Sequence, residues 1–198
     1  MPVPMIHFLI AKKVKPDASI DFYVGNLSPD AIVIGEIKQK VHLYHAPDPE
    51  DALRQFALKA NNDYLKGMVL HLFADKKFHS FWNENTSFPW QENKEYWVKY
   101  MKYNRQIDSY VYHNTEWAYS LLKQMENWDY SGFTETEFIS KDCVELAIEE
   151  HHKWLIENKF DLPSVFPPPL VEKLVDSTAE DFNKWVSNLK SEVVDYKR

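Results

Sequence analysis

Residues 64–82 read Tyr-Leu-Lys-Gly-Met-Val-Leu-His-Leu-Phe-Ala-Asp-Lys-Lys-Phe-His-Ser-Phe-Trp. The stretch is too long for a strand, carries no proline, and is apolar on nearly every side, which marks a helix buried among other helices. His71, Asp75 and His79 stand four apart within it. A step of four advances a helical direction by about 40°, so the three side chains leave one face and can meet a single ion. A carboxylate desolvated on such a helix loses several kcal/mol of hydration, on the order of magnitude seen for buried ions, unless a cation compensates it. Gly67, one turn earlier, leaves room on that face for a second segment to approach.

Outward from this helix, the chain predicts an all-α fold. Four glycines in 198 residues and long Leu-, Lys-, Glu- and Ala-rich runs favour helices over a sheet with many turns. A first helix follows Pro4, with His7, Ile10, Ala11 and Val14 on one stripe; Pro16 ends it. A short second helix closes over Asp21 to Gly25, and Leu27 to Asp30 forms a turn in which Pro29 pushes Ser28 to extended geometry. Residues 31–47 read as irregular, with His42 and His45 in a loop. Pro49-Glu50-Asp51 starts the next helix, which runs to about Trp82, broken or continuous near Asn61-Asn62.

Beyond a polar loop from Asn83 to Trp90, one long aromatic-rich helix is expected over Glu92 to Trp128, then a helix from about Ser140 and a final amphipathic helix over Leu170 to Val193. No repeat or low-complexity linker divides residues 1–198, so a single helical domain is expected, with the ligand constellation inside 7–116 and residues 140–198 completing the bundle. Most of the aromatics between Phe81 and Tyr119, Trp82, Trp90 and Trp97 among them, are read as packing between helices. In the Glu149-Glu150-His151-His152 run, His151 is read as core and His152 as surface.

The net charge of −7 argues against a surface built for duplex nucleic acid. One cysteine, Cys143, excludes an internal disulfide framework and a Cys-rich zinc site, leaving His and carboxylate as metal ligands. No apolar run approaches the roughly 18 residues of a membrane helix, and no signal-like start is seen, so a cytoplasmic location is expected.

Further ligand types fall in order along the chain: His7, Asp30, His42, then His71, Asp75 and His79, then His113 and Glu116. The stretches Ile6-His7-Phe8-Leu9-Ile10-Ala11, Gly25-Asn26-Leu27-Ser28-Pro29-Asp30, His42-Leu43-Tyr44-His45-Ala46-Pro47-Asp48 and Gly67 to Asp75 carry the pattern. In this order the chain resembles the zinc-dependent phospholipase C superfamily, the all-helical fold that includes fungal single-strand nucleases, over roughly residues 5–120.

The resemblance implies one metal site of Asp30, His42, His71 and Asp75, and a second of His79, His113 and Glu116. It places a third ion at His7 and Asp75, with Asp75 as bridge. It implies two zinc ions, Asp30 orienting or deprotonating the attacking water, and a small-molecule or lipid phosphodiester as substrate. Two spacings depart from the family pattern: Asp75 to His79 is a single helical step, and the downstream pair is His113-x-x-Glu116 rather than His-x-x-x-Glu. The alternative expectation is a family member that binds metal or partners without catalysis.

Overall fold

The computed structural model describes residues 3–32, 35–86, 88–89 and 93–195; of residues 190 and 192–195 only the backbone is described. Trp90 and Glu92 lie outside the described residues. Among the described residues there are nine α-helices, one 3₁₀ turn and no strand. The helices are α1 (Pro4–Val14), α2 (Ile20–Leu27), α3 (Gly35–Val41), α4 (Pro49–Lys59), α5 (Asp63–Asn85), α6 (Lys94–Asn114), α7 (Ala118–Glu126), α8 (Lys141–Glu157) and α9 (Pro168–Asp195). None is long and apolar enough to cross a membrane.

Local chemistry sets most of these boundaries. Pro4 opens α1, where its missing N–H is not needed. Ser19 accepts from the Phe22 N–H to start α2, Asp48 caps the first turn of α4 through Glu50 and Asp51, and Ser140 caps α8 through Cys143. Asn62 accepts from the Leu65 N–H, so α4 and α5 are separate helices broken at Asn61-Asn62.

Three local expectations are corrected. Ser28 is helical (φ −54°, ψ −36°), because its hydroxyl donates to the Val24 carbonyl at 2.7 Å and the chain tightens into a 3₁₀ turn over Ser28–Ala31. Residues 35–41 are helical rather than irregular; α3 buries no residue fully and packs on the core only through Ile37 and Val41, a stripe of two. The long aromatic helix is two helices, α6 and α7, divided where Thr115 turns extended (φ −118°, ψ 110°).

The framework of the molecule is the crossing of α2 over α5. A Cβ on Gly25 would lie 1.9 Å from the Tyr64 carbonyl oxygen, and one on Gly67 would lie 2.1 Å from that of Phe22. Only glycine permits this approach. The Asn26 side-chain amide donates to the Gly67 carbonyl across the crossing. Around it, Met5, Phe8, Val24, Tyr64, Leu70, Phe78, Trp82 and Leu122 form a continuous buried core, each worth about 1.5–3 kcal/mol of apolar burial for a side chain of this class. Trp82 stacks on Phe166 and meets Tyr100 edge-on, so these aromatics do pack helices together. Helix α9 lies along α1 and α5, where Phe182 and Trp185 close over Phe73.

Candidate metal centre

Five ligand-type residues from four segments converge beside the glycine crossing: His7 of α1, Asp30 of the 3₁₀ turn, His42 just after α3, and His71 and Asp75 of α5. His7, His42, His71 and Asp75 are buried, and Asp30 is nearly so. Two groups of three donors form, His7 with His71 and Asp75, and Asp30 with His42 and His71.

The spacing of the donor atoms is informative. His42 Nε2 lies 3.2 Å from Asp75 Oδ2, 3.3 Å from His71 Nε2 and 3.6 Å from Asp30 Oδ1, while His71 Nε2 lies 3.7 Å from Asp75 Oδ2. Ligands about 2.0–2.1 Å from a tetrahedral zinc ion stand about 3.3–3.4 Å from one another. His42, His71 and Asp75 thus stand at spacings close to those of ligands around one ion, and Asp30 Oδ1 adjoins them through His42. The other oxygen of Asp75, Oδ1, faces His7 Nε2 at 3.4 Å, so this carboxylate presents one oxygen to each side.

The rings are held in the sense a ligand requires. His71 Nδ1 donates to the Asn26 carbonyl at 2.7 Å and His42 Nδ1 to the Lys38 carbonyl at 2.8 Å. Each bond fixes Nδ1 as a proton-bearing nitrogen and turns Nε2 towards the centre. His7 stacks on His71 with ring centroids 4.0 Å apart. Leu43, beside His42, takes a left-handed conformation (φ 62°), a strain of about 1–2 kcal/mol for a residue with a Cβ. It lets Tyr44 place its ring 5.8 Å from that of His42.

Several polar atoms here lack a hydrogen-bond partner: both ring nitrogens of His7 and both oxygens of Asp75 are buried without one. Buried polar atoms are satisfied in the great majority of cases, and a bound cation is one way to satisfy these. Burial drives His71 down to about 3, so its ring is neutral. Burial would raise Asp75 and Asp30, but the neighbouring histidines, with Lys38 in the case of Asp30, outweigh it and keep both below the ordinary carboxylate value. His42 is pushed down by burial and more strongly up by Asp30 and Asp75, ending raised. His71 is thus neutral and Asp30 and Asp75 ionised, the forms a divalent cation needs, whereas His42 releases a proton when it takes up a metal.

The other sequence-derived ligands lie elsewhere. His113 is exposed at the end of α6 and its Nε2 is 3.0 Å from the carbonyls of Leu155 and Asn158. Glu116, also exposed, lines a surface groove with His113, Tyr112 and Tyr119. His79, half-buried one turn beyond Asp75, joins neither donor group; burial takes it down to about 4. His45 faces solvent against Gln39.

Sequence reasoning missed Lys38 and Asp108, and read His151 only as a core residue. The Lys38 ammonium donates to Asp30 Oδ1 at 2.8 Å. Asp108 of α6 accepts the Met5 N–H at 2.9 Å, and its other oxygen lies 3.4 Å from His151 Nε2. Burial raises Asp108 to about 8 and lowers His151 to about 4. The signal for Asp108 was present: Tyr100, Asn104 and Asp108 stand four apart, a polar interruption of a buried face. His152, read as surface, is fully buried between Glu126 and Tyr112.

Comparison with known proteins adds no identification: no family model, no curated protein and no solved structure matches the chain.

Proposed function

We propose that this chain is a zinc-dependent hydrolase of phosphoric esters, of the phospholipase C and single-strand nuclease type. The reading rests on one observation above all, the convergence of His42, His71 and Asp75 within 3.2 to 3.7 Å of one another, with Asp30 Oδ1 beside His42. Borderline-soft imidazole with hard carboxylate, and no thiolate, suits zinc. When bound there, zinc supplies Lewis acidity toward a phosphoryl oxygen and lowers the pKa of a water toward neutrality.

The chain's own residues divide the remaining work. His42 and His71 hold their Nε2 atoms inward because Lys38 and Asn26 carbonyls anchor the opposite nitrogens. Asp75 presents Oδ2 to this set and Oδ1 to His7, so it would hold a cation through either oxygen. Asp30, the least enclosed of the four, orients an attacking water and accepts its proton on the carboxylate. Tyr44, nearly half exposed, sets its ring 5.8 Å from that of His42 at the solvent side of the centre, where a phosphodiester would approach.

The test is hydrolysis of bis(p-nitrophenyl) phosphate by protein purified without a histidine tag. Turnover that tracks zinc content, stops on chelation and is abolished in Asp30→Asn even at zinc concentrations that load the variant supports the reading. Protein that holds no zinc and shows no turnover with added zinc rejects it.

A further inference from the structure

Lys38 stands in an unusual place for a lysine. Its ammonium lies 2.8 Å from Asp30 Oδ1, the same oxygen that faces His42 Nε2 at 3.6 Å. It therefore engages Asp30 on the oxygen that belongs to the donor set. An ammonium has three donors and no lone pair, so it can compensate the carboxylate but cannot join a coordination sphere. A divalent cation and Lys38 compete for one oxygen.

The position permits exchange. Helix α3 buries no residue, and the Lys38 side chain is 26% exposed, so the ammonium sits at the solvent edge of a centre whose other members are enclosed. Its stem has four rotatable carbons, whereas its backbone is pinned by the His42 ring on its carbonyl. No other lysine or arginine among the described ion pairs reaches a carboxylate of the cluster. Charge favours a second position: two carboxylates and a divalent cation cancel, so a displaced Lys38 leaves the mouth with a net positive charge suited to a phosphate anion.

We propose that Lys38 is a two-position residue: it holds Asp30 in the metal-free protein and, once a divalent cation takes that oxygen, turns to bind a non-bridging oxygen of the phosphoryl group. This rests on the zinc-site reading above. It makes Lys38 both a competitor of the metal and a substrate-binding residue, two effects of opposite sign that a purely structural ion pair does not produce together.

The experiment measures zinc affinity by competition with a chromophoric chelator, and then calorimetric binding of inorganic phosphate and of dimethyl phosphate to the zinc-loaded protein, for wild type, Lys38→Gln and Lys38→Arg. Lys38→Gln is expected to hold zinc about tenfold more tightly and to bind phosphate at least tenfold more weakly, the size of one charge-assisted contact. Lys38→Arg keeps phosphate affinity within a few-fold. Weakened dimethyl phosphate places the contact on the diester substrate; weakened inorganic phosphate alone places it on the released monoester or phosphate. Zinc affinity in Lys38→Gln equal to or below wild type, or unchanged binding of both phosphates, overturns the proposal. A wild-type protein that binds no zinc instead removes the metal centre itself.

Discussion

His71 donates from Nδ1 to the backbone carbonyl of Asn26 at 2.7 Å, tying the ligand helix α5 to the helix that leads into Asp30. The bond exists because Gly67 and Gly25 let the two helices cross at backbone contact. Fold and site are thus coupled at one point: whatever separates α2 from α5 also rotates His71 and withdraws Asp30.

Gly67→Ala tests that coupling. The added Cβ meets backbone at 2.1 Å, which no side-chain adjustment relieves. A loss of about 2–3 kcal/mol or more is expected, at the upper end of overpacking costs, together with weakened zinc binding. Gly35→Ala, where nothing lies within 4 Å of the new methyl group, is expected to be neutral or to stabilise by about 0.4–1 kcal/mol. Urea denaturation of the two variants checks both expectations.

Asp75→Asn removes the carboxylate that lies 3.2 to 3.7 Å from His42, His7 and His71. Zinc affinity should fall by about 100-fold or more, beyond the 10–100-fold typical of a group that only supports a ligand. The metal-free fold should survive, because no hydrogen bond of Asp75 is lost. Chelator competition and a circular-dichroism melt measure the two properties separately.

His113→Phe and Glu116→Gln should leave zinc affinity within about twofold. His113 instead closes the end of α8 through two carbonyls, and its loss is expected to cost about 1 kcal/mol, the net worth of a hydrogen bond. The break at Thr115 explains why the sequence misleads here. Read as one continuous helix, residues 92–128 carry His113 and Glu116 on one face; turned at Thr115, they line an outer groove.

The legible part of the site is the part carried by helical periodicity. His71 and Asp75 are four apart on a helix whose apolar surround announces burial, and His7 sits on the stripe of α1. His42 and Lys38 depend on α3, which packs on the core only through the partly buried Ile37 and Val41, too short a stripe to announce a helix. Asp108 and His151 meet across α6 and α8, a pairing that no spacing along the chain encodes.

The metal-free protein should be most stable near pH 6.5. A histidine held low in the folded state, as His71 is at about 3 and His151 at about 4, makes stability fall as pH drops below the ordinary value of 6.5, since the unfolded chain takes the proton first. Asp108, raised from 3.8 to about 8, acts in the opposite sense: the folded state keeps the proton, so stability falls as pH rises from about 4 to 8. His42, also raised, adds to the decline above 6.5. Asp108→Asn keeps an oxygen for the Met5 N–H and should flatten the slope between pH 6.5 and 8, read from urea midpoints at pH 5, 6.5 and 8.

The central claim is that His42, His71, Asp30 and Asp75 surround one ion. X-ray absorption at the zinc edge, on protein carrying a single equivalent of zinc, tests it most directly. The account predicts a shell of nitrogen and oxygen at about 2.0–2.1 Å with a position left for water, with two imidazoles in wild type and one in His42→Ala. An unchanged imidazole count in His42→Ala, or zinc that is not retained by the wild-type chain, would contradict it.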